Sequence, residues 1–231
     1  MHRIETNPAN LSEALSELFP QGALVAEMRG AGDPQALYPE EARHLKRAVQ
    51  KRAEEFAAGR SCARRLLQEF GIRNFPIDVG EHREPLWPDT LVGSITHTSN
   101  FCAAVVASKA TLRAVGIDCE IAGSVKPELW RGICTPAESA WLRSLPDALQ
   151  PRAATLIFSA KEAFYKCQFG VTRQQLGFHD AVVEIADWPE PRGVIRIRAT
   201  RPIALDRFTA MPLEGRYLFH EEFVTAALAL R

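Results

Sequence analysis

Asp118 and Glu120 sit two positions apart in VGIDCEIAG, residues 115–123 of this chain. If residues 115–119 form a strand, its alternation puts both carboxylates on one face. Asp and Glu are poor strand formers, so two on one face near a strand end ask for a reason. One reason is a hard divalent cation. Mg²⁺ takes oxygen ligands, keeps several waters and often completes its shell with substrate phosphates. The alternative is a solvated strand end with a surface ion pair, and for an isolated D-x-E that is the commoner case. A third carboxylate, Glu162, precedes Lys166 by four residues in LIFSAKEAFYKCQFG, residues 156–170. On a helix the two share a face, bracketed by Phe158, Tyr165 and Phe169. The plain reading is a surface pair contributing ~0.2–0.5 kcal/mol.

Two further groups could meet a phosphate. In VGSITHTSNFCAAVVA, residues 92–107, the run Thr96, His97, Thr98 and Ser99 crowds hydrogen-bonding groups into a turn. Such a turn can present donors to an anion, or be only a hydroxyl-rich turn with a structural histidine. Lys51, Arg52, Arg60 and Arg64 fall on a helical segment, with His82 and Arg83 on the following loop. Arg52, Arg60 and Arg64 are spaced to line one side of that helix, which suits a polyanion. A solvated charged face is the competing reading.

The elements that must position these groups follow from periodicity. Residues 40–70 read as a helix broken once, with Leu45, Val49, Ala53, Phe56, Leu66, Leu67 and Phe70 as its apolar positions and Gly71 as its stop. After the proline- and charge-rich loop 80–89, residues 91–96 and 101–108 read as strands around a turn at 98–100, and 114–119 as a third. Thr135 followed by Pro136 predicts the N-terminus of a helix over 136–145. A longer helix is expected over 153–169, ended by Gly170. Strands over 182–185, 194–199 and 216–230 complete the chain, with a tight loop at 188–193. HTSNFCAAVVA (97–107) and HEEFVTAALAL (220–230) are alike, and a Phe-Gly pair lies upstream of each (70–71 and 169–170). The pattern suggests an internal duplication, although matches this short also arise by chance.

Composition narrows the class. Hydrophobic residues are 46% and charged residues 24%, the balance of a soluble globular protein with a real core. Lys plus Arg and Asp plus Glu are 28 each, so global charge points to neither nucleic acid nor membrane, and any anion site must be local. Glu5, Pro8, Glu13 and Glu17 argue against a secretory segment. The apolar runs 101–107 and 224–230 are too short to span a bilayer. The five cysteines, Cys62, Cys102, Cys119, Cys134 and Cys167, form no C-x-x-C pair. Reduced thiols in a cytoplasmic protein are therefore expected, mostly as small buried hydrophobes.

None of these motifs decides a function alone; their order does. GSITH-x3-F, then GIDCE, then FSAKEAFYK closely resembles the phosphopantetheinyl transferase superfamily, within it the type that activates enterobactin synthase and surfactin synthetase. KRAEEFAAGRSCARRLL and the REPLWPD loop fit too, so the resemblance runs from Lys51 to Lys166. It implies an α+β fold of two similar α/β halves related by a pseudo-twofold, residues 1–111 and 112–231, with the active site between them. It assigns Asp118, Glu120 and Glu162 to a Mg²⁺ ion and places Lys166 near the phosphates. It gives His97 to coenzyme A, Arg52 and Arg60 to the nucleotide, and Thr96 to a neighbouring hydroxyl contact. Cys119 occupies a position that varies among members. His82 and Arg83 stand in the nucleotide-binding loop where relatives often carry lysine and glycine.

The activity implied is Mg²⁺-dependent transfer of 4′-phosphopantetheine from coenzyme A to a serine of an apo acyl or peptidyl carrier protein, with release of 3′,5′-ADP. The serine would attack the β-phosphorus and pass its proton to Glu162, directly or through a water. Lys166 would stabilise the leaving group, or act as its general acid. Carriers of fatty-acid, polyketide or siderophore synthases are the expected partners of a monomeric enzyme. A non-catalytic coenzyme A-binding module and a Mg²⁺-dependent phosphohydrolase are the competing readings.

Overall fold

A computed structural model describes residues 8–207 and 211–231. The first helix, α1 (Pro8–Ser16), leads into strand β1 (Ala23–Arg29). The expected broken helix is a short α2 (Pro39–Ala42), a 3-10 turn at Arg43–Leu45, and the long α3 (Gln50–Glu69). Gly71 ends α3 in the left-handed region at φ 74°. Its N–H and that of Ile72 return to the carbonyls of Gln68 and Leu67, a termination that glycine makes at no steric cost. The hairpin β2 (Leu91–Thr98) and β3 (Phe101–Ser108) follows, then β4 (Ala114–Ile121).

Two short helices, α4 (Pro127–Ile133) and α5 (Pro136–Ser144), precede the long α6 (Gln150–Thr172). Thr135 caps α5 as its sequence predicts, and Glu138 closes the capping box. Gly170 does not end α6. The helix runs on to Thr172 and is capped by Arg173 in the left-handed region at φ 56°. Strands β5 (Ala181–Ile185), β6 (Arg192–Ala199), β7 (Leu213–His220) and β8 (Phe223–Leu230) complete the chain. Within the first fifty residues β1 has a signal, a short apolar stretch between Gly22 and Gly30, which sit at φ 97° and 89°.

The strands form two sheets in an α+β arrangement, ordered β1-β3-β2 and β4-β8-β7-β6-β5, every pairing antiparallel. The first half runs strand, helix, hairpin, and the second runs strand, helices, then the added β5 and β6 before its closing hairpin. The hairpin's second strand lies beside the first strand each time, giving β1-β3-β2 and β4-β8-β7. The run FCAAVVA in β3 is apolar at every position because both its faces are covered. Phe101, Ala103, Val105 and Ala107 join Val115, Ile117 and Cys119 of β4 in the core between the sheets. Cys102, Ala104 and Val106 pack under Cys62, Ala63 and Leu66 of α3. The α6 helix covers the outer face of the second sheet through Ala153, Ile157, Ala160 and Phe164.

Two devices set where the sheets and helices meet. A Cβ on Gly116 would lie 2.0 Å from the carbonyl oxygen of Ala163, so glycine lets α6 rest directly on β4. Between the sheets, β2 meets β4 without a backbone ladder, and hydroxyls replace the missing acceptors. The Ile117 N–H donates to Ser94 Oγ at 3.2 Å, and the Cys119 N–H donates to Thr96 Oγ1 at 2.9 Å.

Candidate active site

The β2–β4 seam and the face of α6 enclose the three carboxylates singled out by sequence. Alternation along β4 points Asp118 and Glu120 to the α6 side while Ile117 and Cys119 enter the core. Asp118 is only 4% exposed. Its Oδ1 accepts from Lys166 Nζ at 2.7 Å and, at 3.4 Å, from Thr96 Oγ1. Its Oδ2 is buried with no hydrogen-bond partner among the described residues. The Asp118 carbonyl accepts from Ser159 Oγ at 3.0 Å, and Lys166 also donates to the Ile117 carbonyl at 3.1 Å. Strand and helix are thus stitched together around the acidic pair.

The carboxylates feel one another. Burial, and then the charge of Asp118, push the Glu120 carboxyl up to about 7, with Lys166 opposing. Burial and Asp118 raise Glu162 in the same way. Lys166 is the cation nearest this negative pocket. Among the described residues no three potential ligands are drawn into a closed metal cage.

The basic residues divide. Arg52 donates to His97 Nε2 at 2.6 Å, and Glu55 stands 3.6 Å from His97 Nδ1. Burial, then Arg52, lower the His97 imidazole, which suits a neutral ring accepting from a guanidinium. Arg60 is buried: it donates to the Ile77 carbonyl at 3.2 Å and lies 3.7 Å above the Phe56 ring. Burial draws its guanidinium down to about 10. Arg64 is held 2.6 Å from the fully buried Glu41 carboxylate. The helix face expected to present Arg52, Arg60 and Arg64 together to a polyanion is therefore open only toward Arg52. Thr96 is 2% exposed, and its hydroxyl is engaged with the Cys119 N–H and, of the acidic pair, with Asp118.

Loop 80–85 crosses to the second half of the chain. His82 Nδ1 accepts from Gln175 Nε2 at 2.9 Å, and the ring meets Phe169 edge-on. Glu84 pairs with Arg173 at 2.8 Å. Arg83 sits at the loop tip at φ 68° and is exposed.

Two features escape a sequence reading. Beside Glu162 opens a cavity of about 180 Å³ walled by Phe164, Tyr165, Leu176, Phe178 and Ala181. Its walls come from α6 and from the segment after it, and no local pattern joins them. Lys161 is 3% exposed and faces away from the carboxylates, into a full set of acceptors. Its only signal is its place before Glu162 in SAKEAF.

Comparison with known proteins agrees with this architecture. The sequence profile of the 4′-phosphopantetheinyl transferase N-terminal domain matches residues 40–107, and that of the 4′-phosphopantetheinyl transferase superfamily matches residues 114–223. The chain is 37% identical to the 4′-phosphopantetheinyl transferase Svp of Streptomyces mobaraensis, over 84% of this chain and 78% of that protein. It is 31% identical to Npt of Nocardia iowensis, over 93% of this chain and 99% of that one. To enterobactin synthase component D of Escherichia coli K12 it is 37% identical, over 65% and 69%. These matches, on a mixed helix-and-sheet fold, make the chain a transferase. The chain belongs to the 4′-phosphopantetheinyl transferase superfamily and is a phosphopantetheinyl transferase.

Proposed function

We propose that the chain moves 4′-phosphopantetheine from coenzyme A to the serine hydroxyl of an apo acyl or peptidyl carrier protein, leaving 3′,5′-ADP, with Mg²⁺ as cofactor. The observation that carries the reading is the convergence of Asp118, Glu120, Glu162 and Lys166 at the β2–β4 seam. The donor set fits Mg²⁺: all oxygen, three mutually repelling carboxylates, and a buried Asp118 Oδ2 with no partner. An ion that keeps its waters and takes phosphate oxygens needs only one or two carboxylates, so a closed cage is not required. Asp118 and Glu120 would hold it, with Glu162 as a third ligand. Bound there, it would neutralise charge on the pyrophosphate.

The chain's own residues account for the rest. Arg52 and His97, joined by their hydrogen bond, offer a donor and a neutral ring to the nucleotide. His82, lying against Phe169 and Gln175, and the exposed Arg83 are further coenzyme A contacts on this reading. The apolar cavity beside Glu162 suits the pantetheine arm, which is uncharged beyond its phosphate. The serine oxygen forms a bond to the β-phosphorus as the bond to the bridging oxygen of 3′,5′-ADP breaks. Glu162, raised toward neutrality by burial, takes the serine proton. Lys166, released from Asp118, faces the charge that appears on the leaving phosphate. Glu162→Gln should lower kcat about a hundredfold or more while changing 3′,5′-ADP affinity little. Wild-type kcat in a folded Glu162→Gln enzyme would remove Glu162 from the chemistry.

We further propose that the two halves, 1–111 and 112–231, are related by a pseudo-twofold. The like strand orders β1-β3-β2 and β4-β8-β7 support this, with β5 and β6 added to the second half. With both halves in one chain the site needs no second copy, which supports a monomer. Five buried, unpaired cysteines support a cytoplasmic setting, and no helix among the described residues is long and apolar enough to cross a membrane.

A further inference from the structure

Lys161 and Glu138 form an ion pair that the chemistry above does not use. Both are nearly sealed from solvent, at 3% and 4% exposure. The ammonium has three donors and meets three acceptors, Glu138 Oε2 at 2.7 Å, the Ile133 carbonyl at 2.9 Å and the Phe178 carbonyl at 2.9 Å. Glu138 is equally saturated. Its Oε2 also accepts from the Thr135 N–H at 2.7 Å, and its Oε1 from the Val183 N–H at 2.7 Å. One residue of α6 thereby ties down the end of α4, the start of α5, the turn carrying Phe178, and β5. A buried pair of this kind is weak grounds for stability, since desolvation offsets most of its attraction. What it does fix is geometry. Phe178 and Ala181, on the segment it anchors, line the cavity beside Glu162, as does Lys161 itself. Gln168 supports the same segment by donating to the Gln174 carbonyl at 2.8 Å.

We infer that Lys161 is a positioning residue: its ammonium holds the 176–181 wall against α6, so that the pantetheine arm enters beside Glu162 in one orientation. This rests on the proposed use of that cavity by coenzyme A. Lys161 touches no reacting atom. Its loss should impair recognition of the arm and leave recognition of the nucleotide, which the proposed site gives to Arg52 and His97, untouched.

The test compares coenzyme A with 3′,5′-ADP, which has the nucleotide without the arm. The wild-type enzyme should bind coenzyme A at least tenfold more tightly than 3′,5′-ADP. Equal affinity would show that the cavity takes no arm, and would overturn the reading on which the inference rests. Lys161→Met together with Glu138→Gln removes both buried charges, so neither is stranded. In that variant KM for coenzyme A should rise about tenfold and kcat should fall, with 3′,5′-ADP affinity within twofold of wild type. A folded variant with wild-type coenzyme A kinetics, or with equal losses for both ligands, would overturn the role given to Lys161. Should the pair not fold, Lys161→Arg carries the same test. It keeps a charge against Glu138 but spreads its donors over a plane that cannot reach the same three acceptors, and the same split is expected.

Discussion

At the scale of single residues, Asp118 is the charge that, after burial, does most to raise both Glu120 and Glu162. It is buried beside two other carboxylates, satisfied on one oxygen by Lys166 and left unpartnered on the other. A site that crowds negative charge for function gains little stability from it, so Asp118→Asn should separate the two properties. Transfer should fall by about a hundredfold or more, while the melting temperature stays within a few degrees or rises, as repulsion with Glu120 and Glu162 is relieved. Thermal melts and transfer kinetics on one preparation check this, and a parallel loss of both would contradict it. The acidic residues were legible because D-x-E on a strand and E-x-x-x-K on a helix are local spacings. The role of Thr96 was not. That its hydroxyl serves Cys119 and Asp118 depends on how β2 meets β4, a contact between residues more than twenty positions apart.

Between elements, the decisive contact is that of α6 with β4. Gly116→Ala would put a methyl against the Ala163 carbonyl, which is backbone and cannot rotate away. The helix must lift, carrying Glu162 and Lys166 away from Asp118. A cost of ~1–3 kcal/mol or more is expected, seen as a lower denaturant midpoint, together with loss of transfer. Unchanged stability would mean that α6 does not sit this close. The β7–β8 hairpin supplies a pH signature. Burial draws the His220 imidazole, which bonds Thr225 at 2.8 Å, down to about 4 from 6.5. The unfolded chain takes this proton first, so stability is full above pH 6.5 and declines as pH falls toward 4. The loss approaches ~3 kcal/mol from this residue alone. In urea titrations over that window the wild type should weaken more steeply than His220→Phe, and identical slopes would refute the assignment. Helix and hairpin positions were readable from periodicity and turn residues. The end of α6 was not: the helix runs through the exposed Gly170 to Thr172, and Arg173 in the left-handed region makes the stop expected of the glycine.

For the molecule as a whole, the candidate site draws on both sheets, which meet where the Ser94 and Thr96 hydroxyls of β2 accept from the backbone of β4. Arg52 and His97 stand on the β2 side of that seam; Asp118, Glu120, Glu162, Lys166 and the apolar cavity belong to β4, α6 and the segment after it. The resemblance in motif order gave this class of fold, since GSITH and GIDCE fall on the two strands that form the seam. It could not give the cavity or the Lys161 network, whose members are scattered from Ile133 to Val183. The central claim is group transfer to a protein serine, and the intact mass of an apo carrier protein tests it most directly. Incubated with this chain, coenzyme A and Mg²⁺, the carrier should gain the mass of one phosphopantetheine, and should gain none with Asp118→Asn over the same time or after chelation of the metal. A carrier of unchanged mass, with coenzyme A either intact or hydrolysed to free phosphopantetheine, would contradict the account.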